Sequence, residues 1–297
     1  NLKLTDDVKI TGPRAVCLPA RKLLELVKLM SGKTVKIDIH DTGMATISHG
    51  KAKYRLNWLD GRQYPQIDDE FAEAFAVASG DVLRQFIRLT RGFIGEDDSK
   101  FAFSGGLLEC GDGVIRMVGT DGARIAVAEQ QNADFDGLPS LSVLVPGKSL
   151  ALLAGMVKKG ESVRAAFARD RMGGISKVKF RVGRRFLMSN LTSGKFPAWE
   201  QTLPKTQIVT ARLERTELLN SLKRSLIVSD FRSRFLEVRF TDEGVAIKTD
   251  VNNAGEETLA CTYVHGGPDA DVRVGVNADY VTQFLSVVPE VLDGKIG

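Results

Sequence analysis

The segment VCLPARKLLELVKLM, starting at Val16, and the segment VLVPGKSLALLAGMV, starting at Val143, follow one plan. Each has a short β-forming run, a proline, a basic residue two positions later and then an apolar run of helical period. Pro19 and Pro146 stand 127 positions apart. A weaker third copy, VGVNADYVTQFLSVV from Val274, puts Asn277 in the place of the proline, 131 positions after Pro146. YPQI at Tyr64 to Ile67 and FPAW at Phe196 to Trp199 keep nearly the same period, with Pro65 and Pro197 132 positions apart. Self-similarity of this kind means one supersecondary unit built several times along the chain.

Two helices fix the phase of the repeat. Asp81 reads as the cap of VLRQFIRLTRGF, with Leu83, Phe86, Ile87 and Thr90 on one face and Arg84, Arg88 and Arg91 as a basic stripe on the other. Thr216 reads as the opening of ELLNSLKRSLIV, with Leu218, Leu219, Leu222 and Leu226 inward and Lys223 and Arg224 outward. Between them the pattern is β. KFAFSGGLLECGDGVIRMVGTDGARIAVAEQ alternates with period two and breaks at Gly-Asp-Gly and Thr-Asp-Gly, while VKFRVGRRFLMSN and EVRFTDEGVAIKTD read as hairpins. The expectation is an α+β chain of three repeats, each with two helices set among antiparallel strands. The units span 1–72, 73–205 and 206–297, the first lacking its front half and the third its last strands.

Composition limits the chemistry. The chain of 297 residues carries a formal net charge of +4, which permits an acidic partner without requiring one. No apolar run is long enough to span a bilayer, so no membrane association is expected. Cys17, Cys110 and Cys261 are widely spaced, which favours a reduced, cytoplasmic setting without disulfides. His40, His49 and His265 have no companion at ligand spacing, so no metal or other cofactor is expected. Gly147-Lys148-Ser149 after a β run is half of a phosphate loop and raises a P-loop NTPase as an alternative. The full motif would need glycine where Ser142 stands, and no catalytic set is apparent elsewhere.

The run GTDGARIAV at Gly119 to Val127, VLVPGK at Val143 to Lys148 and GKFPAW at Gly194 to Trp199, within three α+β repeats, resembles the bacterial DNA sliding clamp, the β subunit of DNA polymerase III. The resemblance extends over essentially the whole chain. It implies the DNA clamp fold and a head-to-tail homodimer whose helices line a hole around duplex DNA. It implies a processivity factor that makes and breaks no bond itself, with polymerase activity belonging to the holoenzyme. The DNA polymerase III alpha subunit and the clamp loader are the expected partners, through short linear motifs. A clamp-like protein that binds partner peptides without encircling DNA is the other reading.

A sliding protein needs phosphate attraction without base readout. Arg21, Lys22, Arg84, Arg88, Arg91, Lys148, Lys223 and Arg224 suit that need, Arg21 and Lys148 by their place after the repeated proline. The resemblance adds Lys100 and Phe101 in the loop after the first helix of the second repeat. It also implies a partner-peptide cleft walled by Phe103, Thr120, Gly122, Arg124, Ile125, Pro197 and Thr202, with Asn277 and Tyr280 at its rim. Ile125 and Pro197 would make an apolar floor and Arg124 would lie over it. The implied dimer interface joins Lys51, Lys53, Arg55 and Leu56, read along one strand, to Ile227, Val228, Glu256 and Glu257 of the other subunit.

Overall fold

A computed structural model describes residues 15–31, 34–64, 71, 73–77, 79–95, 101–131, 140–229, 233–249, 255–266 and 272–288. The chain folds as two compact units, one within Thr5–Glu70 and a larger one within Phe71–Gly297.

The smaller unit runs β1 (Val16–Cys17), α1 (Ala20–Lys28), β2 (Lys36–Ile39), β3 (Met44–His49), β4 (Ala52–Asn57) and β5 (Leu59–Asp60). Strands β2, β3 and β4 form an antiparallel meander, and β1 pairs with β5. Alternation in β3 sends Ala45 and Ile47 inward, both fully buried, against Leu56 and Tyr54 of β4. No residue of α1 is buried, and Leu24 and Leu29 stand 55% and 87% exposed.

The larger unit holds the middle repeat as β6 (Glu73–Val77), α2 (Gly80–Thr90), β7 (Gly105–Gly111), β8 (Val114–Thr120), β9 (Ile125–Gln131), β10 (Leu141–Pro146), α3 (Gly147–Met156), β11 (Val163–Arg169), β12 (Ile175–Val182) and β13 (Arg185–Asn190). These strands make two antiparallel sheets, ordered β10-β7-β8-β9 and β13-β12-β11-β6. Both helices and both sheets contribute to one core, with Leu83 and Ile87 from α2, Leu150 and Leu153 from α3, Met117 from β8 and Phe180 from β12. At the β7–β8 hairpin Asp112 and Gly113 take φ of 52° and 72°, the left-handed pair of a two-residue turn. Gly119 lies where a Cβ would come within 2.5 Å of the Thr90 carbonyl oxygen, so β8 meets α2 backbone to backbone.

The third repeat continues with β14 (Thr210–Arg212), α4 (Arg215–Val228), β15 (Phe235–Thr241), β16 (Gly244–Thr249), β17 (Glu256–Leu259), β18 (Thr262–His265), β19 (Arg273–Asn277) and α5 (Ala278–Val287). Its sheet order, β17-β16-β15-β19, is that of β9-β8-β7-β10 one repeat later. Leu222 of α4, Leu236, Ile247 and Leu259 of the sheet and Ala278 of α5 close the core.

Two capping expectations are corrected. Ser79, not Asp81, is the N-cap of α2, and the Asp81 carboxylate instead accepts from the Gly160 N–H at 2.9 Å. Glu214, not Thr216, caps α4, accepting from the Glu217 N–H at 2.6 Å. In each case the expected residue lies already inside the first turn, where the Asp81 carboxylate still interacts favourably with the helix dipole. The phosphate-loop reading of Gly147-Lys148-Ser149 also fails. Strand β10 is an antiparallel edge strand, the Gly147 N–H donates to the Ser104 carbonyl at 3.0 Å, and Ser149 Oγ lies 2.7 Å from Ser189 Oγ of β13.

Candidate nucleic-acid face and partner cleft

Helix α2 is split by chemistry. Leu83, Phe86, Ile87 and Thr90 are buried, Thr90 Oγ1 donating to the Phe86 carbonyl at 2.8 Å, while Arg84, Arg88 and Arg91 are exposed. The arginines open onto a hollow of about 840 Å³ that also takes in Gly155 of α3, Gln283 of α5 and Arg124. A neighbouring hollow of about 420 Å³ puts Arg91 beside Ser104, Gly147 and Lys148. Two helices of the middle repeat and one of the third thus bring cations and small residues to one surface.

The other expected DNA contacts differ in their surroundings. Lys22 and Lys223 are exposed, and Arg21 pairs with Glu25 at 3.1 Å on the surface of α1. Arg224 pairs with Glu257 of β17, which also accepts from Ser221 Oγ at 2.9 Å. These donors, Arg224 first, hold the Glu257 carboxyl below its ordinary range. Lys100 lies outside the described residues, as does the side chain of Phe101, whose backbone opens the 3₁₀ turn Phe101–Phe103.

The Thr-Asp-Gly turn between β8 and β9 is fastened from within. Thr120 Oγ1 donates to the Arg124 carbonyl at 2.7 Å and accepts from the Gly122 N–H at 3.1 Å. Asp121 Oδ1 accepts from the N–H groups of Ala123 and Arg124 at 3.0 and 3.1 Å. Gly122 has φ of +92°, and its Cα faces the Phe103 ring, 3.6 Å from where a Cβ would stand. Behind the turn, Ile125 packs with Phe196 on a cluster of Leu107, Val118, Leu144 and Trp199. Thr202 Oγ1 donates to the Trp199 carbonyl at 2.6 Å, closing the 3₁₀ turn that carries Trp199. Pro197 faces a groove of about 610 Å³ bordered by Leu144, Leu191 and Trp199.

Arg124 does not lie over the Ile125–Pro197 floor as expected. Its Nε donates to Asp121 Oδ2 at 2.9 Å, and its two terminal nitrogens donate to Gln283 Oε1 at 2.6 Å and to the Gly92 carbonyl at 3.0 Å. The guanidinium stacks 4.9 Å from the Phe93 ring centroid and 4.3 Å from that of Tyr280. A guanidinium has donors enough to fork in this way, and a floor of aliphatic carbon offers it no acceptor. Burial pushes the Asp121 carboxyl upward, but Arg124 and the two amides outweigh it and hold the group below the carboxylate range.

Asn277, expected at the cleft rim, is the N-cap of α5; its Oδ1 accepts from the N–H groups of Asp279 and Tyr280 at 2.9 and 3.4 Å. Tyr280, one turn in, is 36% exposed. Sequence reasoning missed Gln283, Gly92, Phe93 and Phe284; the two phenylalanine rings meet edge to face at 6.1 Å. Only the placement of Gln283 and Phe284 in the helical run after Asn277 could have hinted at them.

For the implied subunit interface, Lys51 lies in the β3–β4 turn rather than on the strand. Lys53 and Arg55 are exposed on one face of edge strand β4, opposite Ser48 and Thr46, whereas Leu56 belongs to the Ala45 face. In the larger unit Ile227 is 83% and Val228 39% exposed. Edge strand β17 carries Glu256, 3.8 Å from Lys248, and Glu257, held by α4.

Residues 78–198 match the family described as DNA polymerase III beta subunit, central domain. The beta sliding clamp of Escherichia coli K12 is 27% identical over 281 residues, covering 93% of this chain and 73% of the relative. That of Halalkalibacterium halodurans is 22% identical over 284 residues, covering 95% and 73%. The crystal structure of the DNA polymerase III subunit beta from Pseudomonas aeruginosa superposes with a TM-score of 0.80 at 24% identity, covering 92% of this chain and 73% of that one, a likeness of fold. The middle repeat, with its fastened Thr-Asp-Gly turn and arginine-striped helix, thus matches the DNA polymerase III beta subunit central domain, and nearly the whole chain is similar to bacterial beta sliding clamps.

Proposed function

We propose that the protein is a DNA sliding clamp, a non-catalytic processivity factor that encircles duplex DNA and tethers the replicative polymerase. The observation that carries this reading is the α2 stripe: Arg84, Arg88 and Arg91 are exposed together and open onto a hollow shared with α3 and α5. Guanidinium groups spaced along a helix attract phosphate oxygens whatever the base sequence, which is what sliding requires. Lys148, beside Arg91, extends the attraction, and Arg21, Lys22, Lys223 and Arg224 are its expected counterparts on the other repeats.

The cleft around Gly122, Ile125 and Pro197 is the expected seat of short apolar motifs from the polymerase alpha subunit and the clamp loader. Ile125 lies beside a turn with a bare Cα, so an extended segment could approach the backbone there. Head-to-tail dimerisation would set the Lys53 and Arg55 face of β4 against the Glu256 edge of β17 in a second subunit, with Ile227 covered in the contact. Such an interface is heterologous and closes through rotation of identical subunits.

Binding to duplex DNA across a salt series tests the stripe. Replacing Arg84, Arg88 and Arg91 together by alanine is expected to flatten the slope of log affinity against log salt by up to about 0.9 for each phosphate that the variant no longer neutralises. An unchanged slope with folded protein would remove α2 from the DNA face.

A further inference from the structure

Arg124 and Gln283 meet where the middle and third repeats touch. The Gly92 carbonyl, in the 3₁₀ turn that ends α2, accepts from Arg124 at 3.0 Å and from Gln283 Nε2 at 3.3 Å, and Gln283 Oε1 accepts from Arg124 at 2.6 Å. Three chain segments are closed into one hydrogen-bonded triangle: the Thr120–Arg124 turn, the end of α2 and the middle of α5. Phe93, Phe284 and Tyr280 pack around it, and the Arg124 side chain is left only 18% exposed. The fit at Gly92 is close, since a Cβ there would stand 2.5 Å from Gln283 Nε2.

The same triangle serves two surfaces. Gln283 and Arg124 border the basic hollow with Arg84, Arg88 and Arg91. The backbone of Arg124 is the acceptor for Thr120 in the cleft turn, and its guanidinium lies on the Tyr280 ring. We propose that Gln283 is a positioning residue for partner capture, holding the Arg124 fork so that the Thr120–Ile125 turn and the Tyr280 edge of α5 keep the separation an extended apolar segment needs. This rests on the cleft reading above. Gln283 acts through Arg124 without touching the ligand, and it does so from the side that borders the basic hollow. A neutral amide suits the position, because it accepts from the guanidinium with one atom and donates to the Gly92 carbonyl with the other.

The test uses the protein and a short fluorescein-labelled peptide carrying two leucines and a phenylalanine among polar residues, read by anisotropy. Gln283→Leu removes the acceptor and is expected to weaken binding about tenfold, as removal of one charge-assisted bond implies. Arg124→Ala is expected to weaken it at least as much, and the double variant no further than the worse single, since the two act as a unit. Gln283→Glu keeps an acceptor for the fork but sets a carboxylate oxygen against the Gly92 carbonyl in place of the amide donor, so it should regain only part of the affinity that Gln283→Leu loses, a partial rescue that a mere packing role would not give. Circular dichroism at the same temperature establishes that each variant is folded. Parent-like affinity for Gln283→Leu, or additive losses in the double variant, would overturn the positioning role while leaving the cleft intact. Absence of peptide binding by the parent would instead remove the cleft reading and the inference with it.

Discussion

Glycine 119 shows how much one missing methyl group can decide. Its Cα lets the Thr90 carbonyl of α2 come to 2.5 Å from where a Cβ would be, against backbone that cannot rotate away. Gly119→Ala is therefore expected to cost about 1–3 kcal/mol by overpacking, measured as a shift in the denaturant midpoint at unchanged slope. Asp121 makes a second residue-scale prediction. Its folded carboxyl titrates below the ordinary value of about 3.9, so its bonds stabilise the fold above that pH and are lost as pH falls through the lower, folded value. The melting temperature of the parent should drop more steeply than that of Asp121→Asn as the pH is taken from about 4 downward. Parallel curves for the two proteins would remove Asp121 from that account. At this scale the sequence was a partial guide. It put Thr120, Gly122 and Arg124 in one motif, but Arg124 bonds to a residue 159 positions away, and no local pattern announces such a partner.

Elements were more legible than their ends. Period-two runs broken by glycine became β7–β8, β12–β13 and β15–β16, because alternation and left-handed turn residues act locally and agree with burial in each sheet. The buried and basic faces of α2 followed from the same kind of periodicity. Caps were misread where two polar residues compete for the role. The sequence could not say that Asp81 is drawn to the Gly160 amide, an approach made only once α3 has turned the chain back. Asn277 shows the converse, a residue expected at a binding rim that has a structural task. Asn277→Ala should destabilise the third repeat by about 1 kcal/mol, the usual worth of an N-cap side chain. Hydrogen exchange in the first turn of α5 would register it as faster exchange at the Asp279 and Tyr280 amides, the two that Asn277 accepts from. Unchanged protection there would mean that the cap contributes nothing.

At the scale of the molecule, the second and third repeats share one sheet order, β10-β7-β8-β9 and then β19-β15-β16-β17, where the sequence offered its weaker copy with Asn277 in place of the proline. The repeat was legible because a strand leading directly into a helix is a covalent sequence of events that recurs with each copy, β1–α1, β10–α3 and β19–α5. What lay beyond it was how copies meet. The seam of Arg124, Gln283 and Gly92 and the capture of Glu257 by α4 depend on residues distant in the chain, and both put charges to internal use that the sequence left free for partners. Cations on α2 and at the start of α3 remain exposed on a shared surface, the feature from which encirclement of DNA is proposed. Topological linkage distinguishes that claim from ordinary electrostatic binding, since a ring leaves linear DNA by its ends whereas a patch does not. The decisive measurement is co-elution of the protein with nicked circular duplex DNA, after assembly with a clamp loader and ATP, before and after a single cut in the circle. The account predicts retention on the circle and release on linearisation; equal retention on both forms, or none on either, would contradict it.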